Sequence, residues 1–319
     1  MRALVTGGAG FIGHHLVRAL LDRGDEVVVI DDFSTGIRSR LDPVADRIDL
    51  HQGDLRSAPD VAAAVSGVDV VFHEGAIPSV ARSVADPVRS NSVNVEGTIQ
   101  LMVAAAEAGV RRVVVAGSSS IYGASPELPR RETQVPDPRS PYAVSKLASE
   151  QYVHALGALH GVETVALRYF NVFGPGQDPA SQYAAVVPRF VTAALNGEQP
   201  VIFGDGGQSR DFTFIDNVVA ANLLAATVPN VSGLTANIGC GGRYTLLELL
   251  DAVGVAIGRR LEARFEPTRA GDVRDSEADI SRAVDALGYR VLVGFHDGVE
   301  RTVAWYRSNA LAEPIRRPS

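Results

Sequence analysis

Apolar positions come in short blocks along the first half of the chain. Ala3-Leu4-Val5, Val27-Val28-Val29-Ile30, Ile48-Asp49-Leu50-His51, Val68-Asp69-Val70-Val71-Phe72, Arg112–Ala116 and Glu163–Leu167 all have strand character. Most are apolar at successive positions, as in parallel strands with both faces covered. Between them lie stretches of helical spacing: Phe11 to Arg23 closed by Gly24, a short one near Pro59–Ser66, a long one near Val93–Ala108, and another near Tyr142–His160. Strand and helix in succession predict an α/β fold with a Rossmann-type doubly wound parallel sheet. After Phe170 the rhythm breaks, with glycines and prolines clustered in Gly174-Pro175-Gly176-Gln177-Asp178-Pro179 and Gly204-Asp205-Gly206-Gly207. Helical spacing returns near Val186–Asn196, Asp216–Ala226 and Leu246–Ile257. The expected organisation is a first unit over 1–170 and a smaller α/β unit over 171–319. Some segments of the second are expected to return to the first sheet, and the tail after Asn309 to fray.

Composition narrows the setting. The 319 residues, 46% of them apolar, suffice for a large core. A net charge of −7 shows no basic excess that would favour nucleic acid or an anionic membrane. The single cysteine, Cys240, excludes an internal disulfide and a cysteine-based metal cluster, and fits a reducing, cytoplasmic setting. No metal site is expected. Glycines interrupt the opening Met1-Arg2-Ala3-Leu4-Val5-Thr6-Gly7 too early for a secretory h-region, and no apolar run is long enough to span a bilayer. The 30 basic residues are 29 arginines and one lysine, Lys146. Wherever a generic cation suffices this chain uses arginine. A site that needs a compact ammonium with a tunable pKa is the reason to keep one lysine.

Gly7-Gly8-Ala9-Gly10-Phe11-Ile12-Gly13 lies between the first strand and the first helix. Glycines there let the backbone turn tightly and approach a pyrophosphate, and the helix N-terminus supplies amide donors. Asp31, 18 residues beyond Gly13, ends the second strand. That is close to the roughly 20 expected of a ribose-binding acid. A carboxylate there suits the diol of NAD and repels the 2′-phosphate of NADP. Asp32 adjoins it. Asp54-Leu55, after the third strand, is placed near the adenine, although Asp54 also reads as a helix cap.

Tyr142-Ala143-Val144-Ser145-Lys146 puts a phenol and an ammonium at i and i+4 on one helix face. A nearby cation favours phenolate, so Tyr142 is the candidate base. With 8 tyrosines and one lysine in 319 residues, chance spacing has odds of about one in forty. Ser118-Ser119-Ser120 follows a strand at the sheet's carboxyl edge, where ligands bind; ordinary loop serines look the same. Asn94 and His73 are further polar candidates, His73 reading more readily as a structural histidine.

Taken together these segments resemble the extended short-chain dehydrogenase/reductase superfamily, nearly end to end. The match includes Thr6 to Gly13, Asp54-Leu55-Arg56, Asn94-Val95-x-Gly97-Thr98, Ser118 to Gly123 and Pro141-Tyr142-x3-Lys146. It continues through Arg168-Tyr169-Phe170-Asn171-Val172-Phe173-Gly174-Pro175, Arg210-Asp211-Phe212 and Asn237-Ile238-Gly239. Within the superfamily the chain is most similar to UDP-hexose 4-epimerases. The resemblance implies NAD as cofactor, held by Gly7, Gly10, Phe11, Ile12, Gly13, Asp31, Asp32, Asp54, Leu55, Asn94, Tyr142, Lys146 and Tyr169. It implies Ser118, Tyr142 and Lys146 as the catalytic set, with Lys146 lowering the Tyr142 pKa. It implies a UDP-sugar substrate beside Ser118, Ser119, Ser120 and Tyr142. Asn171, Arg210 and Arg269 would hold the diphosphate, Asp272 the uridine ribose, and Val187 and the backbone near Phe203 the rest of the nucleotide. Loop salt bridges remain the other reading of these arginines. A homodimer paired through a four-helix bundle is also implied, from the helices near Val93–Ala108 and Tyr142–His160.

Three departures from sister enzymes narrow the reaction. Dehydratases carry Asp-Glu where this chain has Ser119-Ser120, and decarboxylases of UDP-glucuronate carry Glu at Ser120. Epimerases of UDP-glucuronate have an arginine facing the sugar carboxylate where this chain has Asp178, which favours a neutral sugar. Ser276 stands where strict glucose/galactose epimerases have a tyrosine, leaving room for an N-acetyl group. The expected activity is 4-epimerisation of UDP-glucose/UDP-galactose, with UDP-N-acetylglucosamine also accepted. The alternatives are a UDP-glucuronate 4-epimerase, a dehydratase, or an NAD-binding relative without turnover.

Overall fold

The computed structural model describes residues 1–179, 185–268 and 274–310. Seven parallel strands form one sheet: β1 (Arg2–Thr6), β2 (Glu26–Asp31), β3 (Ile48–Gln52), β4 (Val70–His73), β5 (Arg112–Ser118), β6 (Glu163–Tyr169) and β7 (Leu234–Ile238). Their order is β7-β6-β5-β4-β1-β2-β3. The last strand comes from the second half of the chain, a return of the kind expected. Eleven α-helices are described: α1 (Phe11–Asp22), α2 (Ala58–Val65), α3 (Val80–Ala85), α4 (Pro87–Asn91), α5 (Gly97–Glu107), α6 (Pro141–His160), α7 (Val186–Leu195), α8 (Ile215–Thr227), α9 (Leu246–Ile257), α10 (Ser281–Leu287) and α11 (Phe295–Ala310). None of the described helices is long and apolar enough to cross a membrane.

The continuous apolar strands are explained by burial on both sides. In β1, Ala3 and Val5 join one core and Leu4 the other; in β4, Val70 and Phe72 join one and Val71 the other. Helices α2, α5 and α6 supply the second core. The first core runs without a break from Leu16 and Leu20 of α1 into Phe190, Phe214, Val218 and Leu249. The second half of the chain is therefore packed onto one face of the sheet through shared apolar contacts.

One helix boundary differs from the sequence expectation. The long helix near Val93–Ala108 begins earlier, as α4, and passes through a π-helical turn at Ser92–Glu96 before α5. Its wider turn faces α6, and the π-turn residue Asn94 bonds Ser145 there. Helices α3, α10 and α11 were not anticipated. They are short, or, like α11, mostly polar along the chain.

Helix α6 carries the Tyr–Lys pair, and its placement is over-determined. Ser140 caps it by accepting from Ala143 N at 3.2 Å, Pro141 occupies the first turn, and Gly161 ends it in the left-handed region at φ 74°. Ser83 on α3 accepts from Tyr142 N at 3.0 Å. On the buried side Glu150 meets the Arg168 guanidinium of β6 at 2.6 and 2.9 Å, and Arg168 also donates to the Tyr122 hydroxyl at 2.8 Å. Both charged side chains are almost fully buried.

Glu150→Ala should leave a buried, uncompensated guanidinium and destabilise the protein by about 3–5 kcal/mol. The apolar pair Glu150→Leu/Arg168→Met should recover much of that. Denaturant unfolding checks both, and a loss below about 1 kcal/mol for Glu150→Ala would contradict the clamp.

Candidate active site

The order of the sheet reverses between β1 and β4, because β2 and β3 lie on one side of β1 and β4 to β7 on the other. At such a point the strand ends are not covered by the connecting helices, and a cleft opens at their carboxyl edge. The loop after β1 forms its floor. Gly7 sits at φ 66°, and a Cβ there would come within 2.8 Å of the Gly75 backbone; one on Gly13 would come within 2.2 Å of the Gly7 carbonyl oxygen. The close approach leaves the N-terminus of α1 bare toward the cleft.

Gly7, Gly10, Phe11, Ile12, Gly13, Asp31, Asp32, Asp54 and Leu55 all line this cleft. Asp31 Oδ2 accepts from Ala9 N at 2.9 Å and Oδ1 from Phe33 N at 2.8 Å. Burial pushes its pKa up, and those two N–H groups oppose the rise. Asp54 is held by Arg56 at 2.5 to 3.0 Å, and the Arg56 hydrogen bond keeps its pKa low. It does not cap α2, whose N-cap is Ser57. A glycine cradle, a bare helix N-terminus and a buried carboxylate at the end of β2 fit a dinucleotide.

Asn94, expected to touch the cofactor, bonds to the loop after β4 and to α6. Its Oδ1 accepts from Ile77 N at 2.7 Å, and its amide donates to Ser145 Oγ at 3.0 Å on α6. His73 is structural. Its ring bonds Thr6 Oγ1 and Thr98 Oγ1, each at 2.8 Å, and burial drives its pKa down to about 3, so it is neutral.

A second cavity adjoins the first. It is lined by Ile12, Val80, Ser118, Ser119, Ser120, Arg130, Tyr142, Tyr169, Asn171, Arg210 and Ser276 among others. Ser118 ends β5 and lies 2.8 Å from the Ser120 hydroxyl. Burial raises the Tyr142 pKa, a hydrogen bond with Ser118 lowers it, and the charge of Glu74 raises it further. Burial brings the Lys146 pKa down to about 8, while Glu74 and Glu150 favour its charged form. Tyr169, expected in the cofactor set, is among the residues lining this second cavity, and its hydroxyl donates to Glu74 at 2.7 Å.

A third cavity brings together Asn171, Val187, Phe203 and Arg210, four of the residues expected at the nucleotide. Asn171 has an unusual φ of 27°, and its amide donates to Asp211 O at 3.3 Å. Arg189 and Gln208 also line it, Arg189 lying 5.6 Å above the Phe203 ring. Arg269 and Asp272 lie outside the described residues. Asp178 lines the cofactor cleft, where its charge favours the charged form of Arg40.

Sequence reasoning missed Glu74, Arg130, Arg189 and Gln208. Glu74 follows β4 at the same carboxyl edge that singled out Ser118, so that signal was available. The others lie in segments whose return to the sheet is not encoded locally.

The family described as NAD dependent epimerase/dehydratase matches residues 3–239. The UDP-glucose 4-epimerase of Mycolicibacterium smegmatis is 39% identical, over 97% of this chain and all of its own length. The structure of a UDP-N-acetylglucosamine 4-epimerase from Methanobrevibacter ruminantium, in complex with UDP-N-acetylmuramic acid, superposes with a TM-score of 0.92 at 37% identity, over 97% of this chain and 98% of that one. The Thermus thermophilus UDP-glucose 4-epimerase in complex with NAD gives 0.88 at 38% identity, over 96% and 99%. With the glycine cradle, the Tyr–Lys helix and likeness along nearly the whole length, this chain belongs to the NAD dependent epimerase/dehydratase family.

Proposed function

We propose that this chain is an NAD-dependent UDP-hexose 4-epimerase, acting on UDP-glucose/UDP-galactose and also on UDP-N-acetylglucosamine. One observation carries the choice of reaction. The cavity at Ser118 and Tyr142 has no Asp, Glu or His among its described lining residues. Eliminating water from a sugar calls for an acid and a base side by side; moving one hydride and one proton at the same carbon calls for a single phenol.

In this reading residues 1–170 hold the cofactor and 171–319 the nucleotide sugar, apart from the strand returned to the sheet. NAD, when bound, supplies a hydride acceptor at the sugar. Tyr142 takes the 4-hydroxyl proton, with Ser118 bonded to the same oxygen. Lys146 bonds the nicotinamide ribose and, with substrate in place, steadies the phenolate. Loss of the 4-hydroxyl proton and the C4 hydride would leave a transient 4-keto sugar; once the sugar turned its other face, the hydride would return to C4 and Tyr142 would give the proton back to the oxygen, inverting C4. Asn171, Arg210 and Arg269 hold the diphosphate, Asp272 the ribose, and Val187 and Phe203 the base. Ser276 borders the sugar cavity, where a small side chain leaves space for an acetamido group. A second reading, UDP-glucuronate, has Arg130 at the same cavity in its favour. The protein is proposed to act in the cytoplasm as a homodimer. Exposed Val103 on α5 and exposed Val144, Tyr152 and Leu159 on α6 form the apolar faces for a four-helix bundle.

Incubation with UDP-glucose, UDP-N-acetylglucosamine and UDP-glucuronate, with separation of the products, tests the reading; inversion of glucuronate alone would replace it. Tyr142→Phe should bind NAD normally yet lose about 10²–10⁴-fold in kcat, and near-normal turnover would remove Tyr142 from the chemistry. Ser276→Tyr should cut kcat/KM for UDP-N-acetylglucosamine about tenfold or more while sparing UDP-glucose. Sedimentation should give a dimer, and Tyr152→Glu/Leu159→Glu a monomer; a monomeric parent protein would sink the bundle.

A further inference from the structure

Arg40 takes no part in the chemistry described so far, yet its guanidinium joins two distant parts of the chain at the cofactor cleft. It ends a 3₁₀ turn over Arg38–Arg40 and lines that cleft together with Gln177 and Asp178. Nη1 donates to Ala9 O of the glycine turn at 3.0 Å, and Nη2 donates to Gly176 O at 2.6 Å. The first carbonyl lies 31 residues earlier in the chain and the second 136 residues later. Ala9 O also accepts from Ile37 N at 3.0 Å, so the near anchor is held twice.

The far anchor is fixed without help from Arg40. His15 Nε2 on α1 bonds Pro175 O at 2.8 Å, Tyr306 on α11 donates to Gln177 O, and Gln177 Nε2 donates to Val172 O at 3.1 Å. Gly176 itself sits at φ 77°, and a Cβ there would come within 3.1 Å of His14 Nε2, so a glycine lets the chain pass α1 this closely. Burial weighs against charge on Arg40, while Asp178 and Asp31, which line the same cleft, favour it. His14 adds no second cation, because burial drives its pKa down to about 3.

We propose that Arg40 is a positioning residue that clasps the cofactor cleft, tying the glycine turn to residues 176–178, and so sets how fast NAD enters and leaves. The glycine turn belongs to one wall of the cleft and Gln177-Asp178 to another, so a dinucleotide passes only when the two part. Hydrogen bonds from a charged donor are among the stronger ones, and both of these are internal to the protein. Their loss lowers the barrier to passage in both directions and changes the balance between bound and free far less. A group that touches the cofactor behaves otherwise: removing it speeds release alone and weakens binding. The inference concerns the cofactor cleft and does not depend on which sugar is turned over.

NADH, whose fluorescence reports its binding, is the probe. Stopped-flow mixing with protein freed of NAD gives the association rate, and displacement by excess NAD gives the dissociation rate. Arg40→Met keeps the stem and removes both bonds. It should raise each rate by about tenfold and leave Kd within about threefold of the parent value. Arg40→Lys, whose ammonium can reach one carbonyl, should fall between, and carries the test should Arg40→Met fail to fold. Rates in both variants that coincide with the parent's would overturn the proposal. So would a faster dissociation matched by an equal rise in Kd, since that makes Arg40 a ligand of the cofactor. Absence of turnover on every UDP-sugar would instead overturn the substrate reading, and the NADH rates would still decide the role of Arg40.

Discussion

A parallel sheet with helices on both faces must part its connections somewhere, and in this protein they part between β1 and β4. The cleft is a consequence of that parting. So is the bare N-terminus of α1, since Gly7 and Gly13 leave no side chain between the helix and the cleft. Asp31 at the end of β2 and Glu74 after β4 enter the cleft from opposite sides for the same reason: each follows a strand that ends at the reversal. Binding of a dinucleotide is thereby built into the chain order of the strands, before any particular side chain is considered.

Placement of the proposed Tyr–Lys pair comes from a different source. Tyr142 and Lys146 are placed by α6, and α6 is tied down along its length by its Ser140 cap, by Ser83, by Asn94 through Ser145, and by the Glu150–Arg168 pair. These bonds come from α3, the π-turn and β6, so an error in any one is resisted by the others. The buried ion pair is costly to desolvate, and its use here is geometric: a bidentate fork fixes orientation as well as distance. The Tyr122 hydroxyl extends the network by donating to Asn237 on β7 at 2.6 Å, which joins the returned strand to the back of the active site.

Electrostatics at the centre is a balance of three groups rather than a simple pair. Burial disfavours charge on Tyr142, Lys146 and Glu74 alike. Lys146 and Glu74 relieve one another, and Tyr142 is left protonated in the protein alone.

Much of this was legible in the chain. Local signals with a fixed period or spacing carried over: apolar strand blocks, helix caps, the glycine turn, the acid after β2 and the i,i+4 Tyr–Lys pair all depend on residues near one another in sequence, where backbone geometry alone sets the relation. What the sequence could not determine depends on groups brought together across many residues. Asn94 braces α6 across 51 positions, Tyr169 meets Glu74 across 95, and Asp178 comes to line the same cleft as Gly7. Spacing says that Lys146 lies beside Tyr142. Only the tertiary structure decides that Glu74 and Glu150 favour the charged form of that lysine against its burial, because that depends on which carboxylates the fold gathers around it.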